Sequence, residues 1–225
     1  MVKLTIAEIM EMLWKAAEET FIMVSWSLLA GLIFGTLIGL LLFLLSNPFF
    51  LKNRVIGNVA NFIINATRSI PFLILMVAVL PLGTYIVGTT VGPKAVIVPL
   101  AIAAIAFYAR LAENAFSQID KGVIEAAIAS GASHTRIIFG ILFPEALAQL
   151  IRHATVTTIS LIGFSSMAGV VGGGGIGDLA IRFGYQRYVT EVLIICIIIL
   201  IIVVMLIQYL GDKLANHFIE VTNNR

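Results

Sequence analysis

Five mostly apolar runs, at 21–45, 57–80, 93–112, 145–167 and 190–209, limit what this chain can fold into. About 20 residues of helix cross a hydrocarbon core about 30 Å thick, so each run is long enough to span a bilayer. The whole chain agrees: 60% of its 225 residues are hydrophobic, 12% are charged, and its mean hydropathy is +1.07. A soluble domain is typically about 45–50% apolar and about 25% charged. The expectation is an all-α integral membrane protein with one membrane domain at 21–210. An amphipathic helix at 1–20 precedes it and a tail at 211–225 follows. No cleavable signal peptide is expected, because the first run is too long for one and lacks an A-x-A site. A formal charge of +2 without a basic block gives no sign of a nucleic-acid partner. The lone Cys196 sits in an apolar run and builds neither a disulfide framework nor a metal cluster.

Residues 1–20 carry capping-box spacing at Thr5 and Glu8, then Ile6, Ile9, Met10, Leu13, Trp14 and Ala17 at helical steps. Such a helix lies in the interface, packs over a neighbouring span, or recruits a partner. In the first span Gly31, Gly35 and Gly39 repeat small-xxx-small spacing, which lets another helix approach closely. Ser46-Asn47-Pro48 ends it. The last span is almost pure Ile, Leu and Val and is expected to face lipid.

Two spans are less oily. The second holds Asn58, Asn61, Asn65, Thr67 and Arg68; the fourth holds Gln149, Arg152, His153, Thr155, Thr157, Thr158 and Ser160. Polar groups in hydrocarbon face a cavity or a partner. Asn65, Arg68, Thr155 and Thr158 are therefore candidates for lining a passage, with polar glue between helices as the other reading. Arg68 is expected near the cytoplasmic interface or paired. Loop charge orients the chain: the 46–56, 110–152 and C-terminal segments carry eight Lys and Arg against five on the other side. That puts the N-terminus outside, and the C-terminus and the stretch 125–144 in the cytoplasm.

Six glycines crowd residues 169–177, namely Gly169, Gly172, Gly173, Gly174, Gly175 and Gly177. No βαβ unit surrounds them and no Lys-Ser/Thr follows, so they form no nucleotide site. They are expected to be irregular backbone near a pore mouth or subunit interface. Asp178, Arg182, Gln186 and Arg187 follow, with Phe183, Tyr185 and Tyr188, as a docking surface or a solvated loop. No catalytic group is proposed: His134, His153 and His217 are scattered, and no His/Asp/Glu set has metal-ligand spacing. No span holds an opposite-charge pair for a proton relay.

The stretch 125–144 reads as a slim helical hairpin. Asp120 caps its first helix, Gly131 suits the left-handed position after it, Ser133 caps the next turn, and Pro144 suits the start of the fourth span. Ala126, Ala127, Ala129 and Ala132 keep it narrow. It docks in a groove of another protein or packs on the membrane surface. At the end of the fourth span Met167 follows Gly163, Ser165 and Ser166. Ser165, Ser166 and Met167 are candidates for a pore or gate, packing being the alternative for a methionine in a helical stripe.

Glu125-Ala126-Ala127, three residues, Gly131, nine residues, then Ile141 and Pro144 resembles the cytoplasmic signature of ABC-importer permeases. Phe143 stands where that signature has leucine. The resemblance covers roughly residues 20–210. It implies the type I ABC-importer permease fold, with the hairpin as the coupling helix seated on a separate ATPase. Glu125, Ala126, Ala127, Gly131 and Pro144 would be its ATPase-coupling residues. Thr67-Arg68-Ser69-Ile70-Pro71-Phe72, Val87-Gly88-Thr89 and the run from Gly177 to Tyr188 look more narrowly like the methionine-importer permeases. That likeness implies a bacterial inner-membrane homodimer, two ATPase subunits that bind ATP and Mg while this chain holds no cofactor, and a methionine-binding lipoprotein. Another amino acid or a quaternary amine is the nearest alternative cargo. A membrane scaffold or receptor subunit is the alternative of another class.

Overall fold

One helix, α1 (Ile6–Ser46), runs through both the amphipathic segment and the first span. The computed structural model describes residues 5–223. Thr5 opens α1 with a capping box: its hydroxyl accepts from the Glu8 N–H at 3.4 Å, and the Glu8 carboxylate accepts from the Thr5 N–H at 2.8 Å. No break occurs near residue 20, so the expected separate helix is the first part of the spanning one. Its Leu13 and Ala16 are buried against Ile176, Leu179 and Val192, which is the packing use, while Ile6, Met10 and Trp14 of the same segment stay exposed.

The glycine face of α1 meets α4 (Pro93–Ser117) of the same chain, the most extensive helix pairing in the fold. Gly31 lies over Ala104, Gly35 over Tyr108, and Gly39 over Ala109 and Ala112. The second span departs from the expected single rod. It is split into α2 (Arg54–Ser69) and α3 (Phe72–Val87), bent by 109°. Pro71 has no N–H to continue the ladder, and it forces Ile70 out of the helical region to φ −78° and ψ 125°.

After the hairpin, α7 (Phe143–Ala168) returns along α4 and α1. The last helix, α9 (Thr190–Asn223), buries Val192 and Cys196 and leaves Ile194, Ile198, Ile201 and Leu206 exposed, as a lipid-facing helix does. Among the described residues four helices are long and apolar enough to cross a membrane, and counting the bent α2–α3 pair as one broken span gives five.

Candidate functional site

The hairpin at the end of α4 forms as local chemistry dictates. Asp120 accepts from the Gly122 N–H at 2.6 Å and starts α5 (Lys121–Ala129). At its end the Ala132 N–H bonds the Ala127 carbonyl at 3.0 Å and the Gly131 N–H bonds that of Ile128 at 2.9 Å. This is a Schellman closure, with Gly131 at φ +78°. Ser133 then accepts from the Arg136 N–H at 3.4 Å to start α6 (His134–Ile137).

Between α6 and α7 the turns widen to π-helical over Ile138–Leu142. Pro144 explains the widening. It offers no N–H, and in a regular helix its ring would crowd the carbonyl four residues back.

Each arm has an anchor. Ile124 is 1% exposed and Ile137 0%, packed with Phe43, Phe116 and Leu142. Only Ala127 of the remaining α5 residues is half-buried; Val123, Glu125, Ala126 and Ile128 are exposed, as is Phe139 beyond α6. The hairpin is thus a slim rod pinned at two points, with an apolar outer surface that none of the described residues covers. Ile124 as anchor and Val123 and Phe139 as exposed apolar groups were missed from the sequence; the i, i+3 pair Ile124 and Ala127 was the available signal.

The glycine run lies at the other end of α4, about 37 Å of helix rise away. The Gly92 N–H, just before α4, donates to the Gly172 carbonyl at 2.9 Å. The expected loop is helical here: α8 (Gly175–Leu179) widens into π-helical turns over Ala180–Tyr185. Two side chains of α1 hold its start, Glu19 accepting from the Gly175 N–H at 2.8 Å and Thr20 from the Ile176 N–H at 2.9 Å. Asp178 pairs with Arg182 at 2.8 Å, and Arg182 and Arg187 both lie over the Phe183 ring. Burial lifts the Asp178 carboxyl above its usual range; Arg182 pulls it back and Glu19 adds to the rise.

The pathway candidates separate. Asn65 joins Asn61 in accepting from Arg110 of α4, each at 2.8 Å, and Arg110 also pairs with Glu113. That is glue between α2 and α4. Thr155 is buried, its hydroxyl turned to the Ile151 carbonyl at 3.0 Å and its body packed on Gly211 of α9. Ser165 is buried too, bonded to the Ile162 carbonyl at 2.8 Å, and Ser166 lies under Gly177. Thr155 and Ser165 are thus packed against neighbouring helices in this chain. Thr158 is half-buried and bonds the Ala154 carbonyl at 2.8 Å. Met167 is 46% exposed. Arg68 is exposed beside Ala103, Ala106 and Phe107, halfway along α4. It lies level with the middle of α4, and no carboxylate among the described residues pairs with it.

Known proteins resemble this arrangement closely. The profile of the family described as "Binding-protein-dependent transport system inner membrane component" matches residues 31–218. A probable D-methionine transport system permease protein of Pasteurella multocida is 44% identical over 210 residues, covering 93% of this chain and 97% of its own length. The methionine import system permease protein of Bacillus subtilis is 43% identical, covering 91% of this chain and 92% of its own. Among solved structures, a chain of the MetNI methionine ABC transporter in an inward-facing conformation superposes with a TM-score of 0.91 at 38% identity. The match covers 96% of this chain and 99% of that one. A chain of an amino acid ABC transporter crystallised with histidines gives 0.77 at 18% identity, which speaks for the fold alone.

Proposed function

This chain belongs to the family of binding-protein-dependent transport system inner membrane components, and we propose that it is the permease subunit of an ATP-driven methionine importer. Like its family, it is an all-helical, multi-pass protein of the inner membrane. The cargo in this reading is L-methionine and its D form, supported by relatives above 40% identity that bear methionine permease names. The observation that carries the coupling is the pinned hairpin, whose bare outer surface has the shape and position of a handle.

Two copies of the chain form the pathway at their interface. Two separate ATPase subunits each grip one hairpin, bind ATP and Mg, and hydrolyse ATP; this chain holds no cofactor. A methionine-binding lipoprotein delivers the substrate to the opposite face, where α8 and the Arg182–Tyr188 stretch lie. The hairpin and the C-terminus are cytoplasmic and the N-terminus is outside. Closing of the ATPases favours one orientation of the permease pair over the other, since a ligand moves an equilibrium only by preferring one state. Uptake of radiolabelled methionine is expected when this chain, its ATPase and its binding protein are expressed in a strain lacking its own importer. Uptake of another amino acid or a quaternary amine in place of methionine would overturn the assignment.

The gate in this reading is Met167, the exposed member of the Ser165–Met167 set. An unbranched apolar side chain fills an irregular gap well. Met167→Ala is expected to leave the protein folded while raising methionine leak, or ATP hydrolysis without transport, several-fold. Wild-type coupling in reconstituted vesicles would remove Met167 from the mechanism.

A further inference from the structure

The bend at Pro71 opens a cavity that the rest of the fold leaves unused. It measures about 350 Å³ and lies between the α2–α3 bend, the middle of α4 and the far half of α7. Ligand pockets commonly run from about 300 to about 1,000 Å³. Its wall carries the stacked rings of Phe72 and Phe164, with centroids 4.6 Å apart and planes 16° from parallel. Phe107 adds a third ring, 5.9 Å from the Arg68 guanidinium carbon. The flanking hydroxyls are already used: Thr67 bonds the Ile63 carbonyl at 2.9 Å and Ser69 the Asn65 carbonyl at 2.8 Å. The side-chain donor left for a visitor is the Arg68 guanidinium.

That guanidinium has no counter-ion among the described residues, whereas Arg110, the other mid-fold arginine, has Glu113 and two asparagines. A cation at span depth is kept company by an anion or by water. The planar fork of arginine matches a carboxylate with two parallel hydrogen bonds. The carbonyls of the last turn of α2 have no helical donors left and supply acceptors beside it for an ammonium group. Three aromatic rings and the small Ala103 and Ala106 leave room for an unbranched apolar chain, and a thioether sulfur is favoured next to ring edges.

We propose that this cavity is a substrate subsite within the pathway, in which Arg68 receives the α-carboxylate of a free amino acid and Phe72, Phe107 and Phe164 receive a thioether side chain. The inference rests on the reading of the chain as a methionine permease and names where that substrate pauses inside it. Specificity is then not left wholly to the binding protein, because the permease itself checks for a carboxylate and an unbranched side chain.

The test is equilibrium binding of radiolabelled L-methionine to the permease–ATPase complex in nanodiscs, with no binding protein present. Saturable binding is expected, weakened at least tenfold by Arg68→Gln and less by Arg68→Lys, which keeps the charge. In the unaltered complex norleucine should compete, and methionine amide, which lacks the carboxylate, should not. Absence of saturable binding overturns the subsite, as does Arg68→Gln binding like wild type or effective competition by the amide. A phospholipid phosphate is the other source of a suitable anion. If Arg68→Gln strips co-purified anionic lipid while methionine binding is unchanged, the occupant is lipid and the proposal fails. Uptake driven by ATP and binding protein is measured on the same complex in vesicles. Methionine uptake without direct binding sinks the subsite and spares the permease reading; no methionine uptake sinks both.

Discussion

Gly39→Leu is expected to leave little assembled protein in the membrane. A Cβ at Gly39 would stand 2.6 Å from the Ala109 carbonyl oxygen, 2.7 Å from the Ala112 Cβ and 2.9 Å from the Glu113 nitrogen. Two of those three atoms are backbone, so no side-chain rotation relieves the clash. Helix α4 must move away, and the contacts at Gly31 and Gly35 loosen with it, because all three lie on one face. Overpacking a core costs about 1–3 kcal/mol when side chains can adjust. Here they cannot, and the cost falls on the largest helix pair of the fold. The yield of monodisperse, detergent-solubilised protein should fall about tenfold or more, in line with a loss above about 1.4 kcal/mol. Gly163 is the control. It is helical and exposed, and a Cβ added there would meet nothing within 4 Å, so Gly163→Ala should keep the wild-type thermal midpoint. If Gly39→Leu purifies as well as that control, the α1–α4 packing does not hold the fold together.

Features governed by local chemistry were readable in advance. The Thr5 cap, the Asp120 and Ser133 caps and the left-handed Gly131 each need only a few neighbouring residues. The small-residue face of α1 was readable too, though not that its partner would be α4 of the same chain. The boundary at residue 20 misled because hydropathy changes there and structure does not. Nothing between Glu18 and Phe21 stops a helix. The break at Ile70-Pro71 carried its own signal, a proline and its restricted predecessor, inside a run long enough to pass for one span.

The polar residues of the fourth span left two readings open in the sequence. Thr155, Thr157, Thr158 and Ser160 each bond the carbonyl four residues back on their own helix. Their hydroxyls need no cavity, so polarity alone did not mark a passage. Arginines cannot satisfy themselves this way. Arg110 needed groups 45 and 49 residues away in sequence, which only the fold could supply, and Arg68 meets no carboxylate among the described residues.

The hairpin gives the second large effect. Gly131→Val is expected to abolish ATP-driven uptake while leaving most of the membrane domain intact. Gly131 sits at φ +78° with open space around it, so the obstacle is backbone conformation and not crowding. The left-handed region costs an ordinary residue about 1–2 kcal/mol, and a branched one is worse placed still. Escaping it breaks the Ala132–Ala127 and Gly131–Ile128 hydrogen bonds that fold α5 back toward α6. The damage stays local because Ile124 and Ile137 remain buried beside Phe43 and Phe116. The bundle should therefore keep its thermal midpoint within a few degrees, the shift that about 1 kcal/mol produces in a chain this size. The outer surface of α5, however, loses its fixed angle to the body, and a partner that pulls on it no longer moves the spans. Methionine uptake should drop tenfold or more, with ATP hydrolysis either unstimulated or running without transport. Gly131→Asn, which tolerates the left-handed region, should retain much of the activity. Full uptake and substrate-linked hydrolysis in Gly131→Val would show that force enters the permease somewhere other than this hairpin.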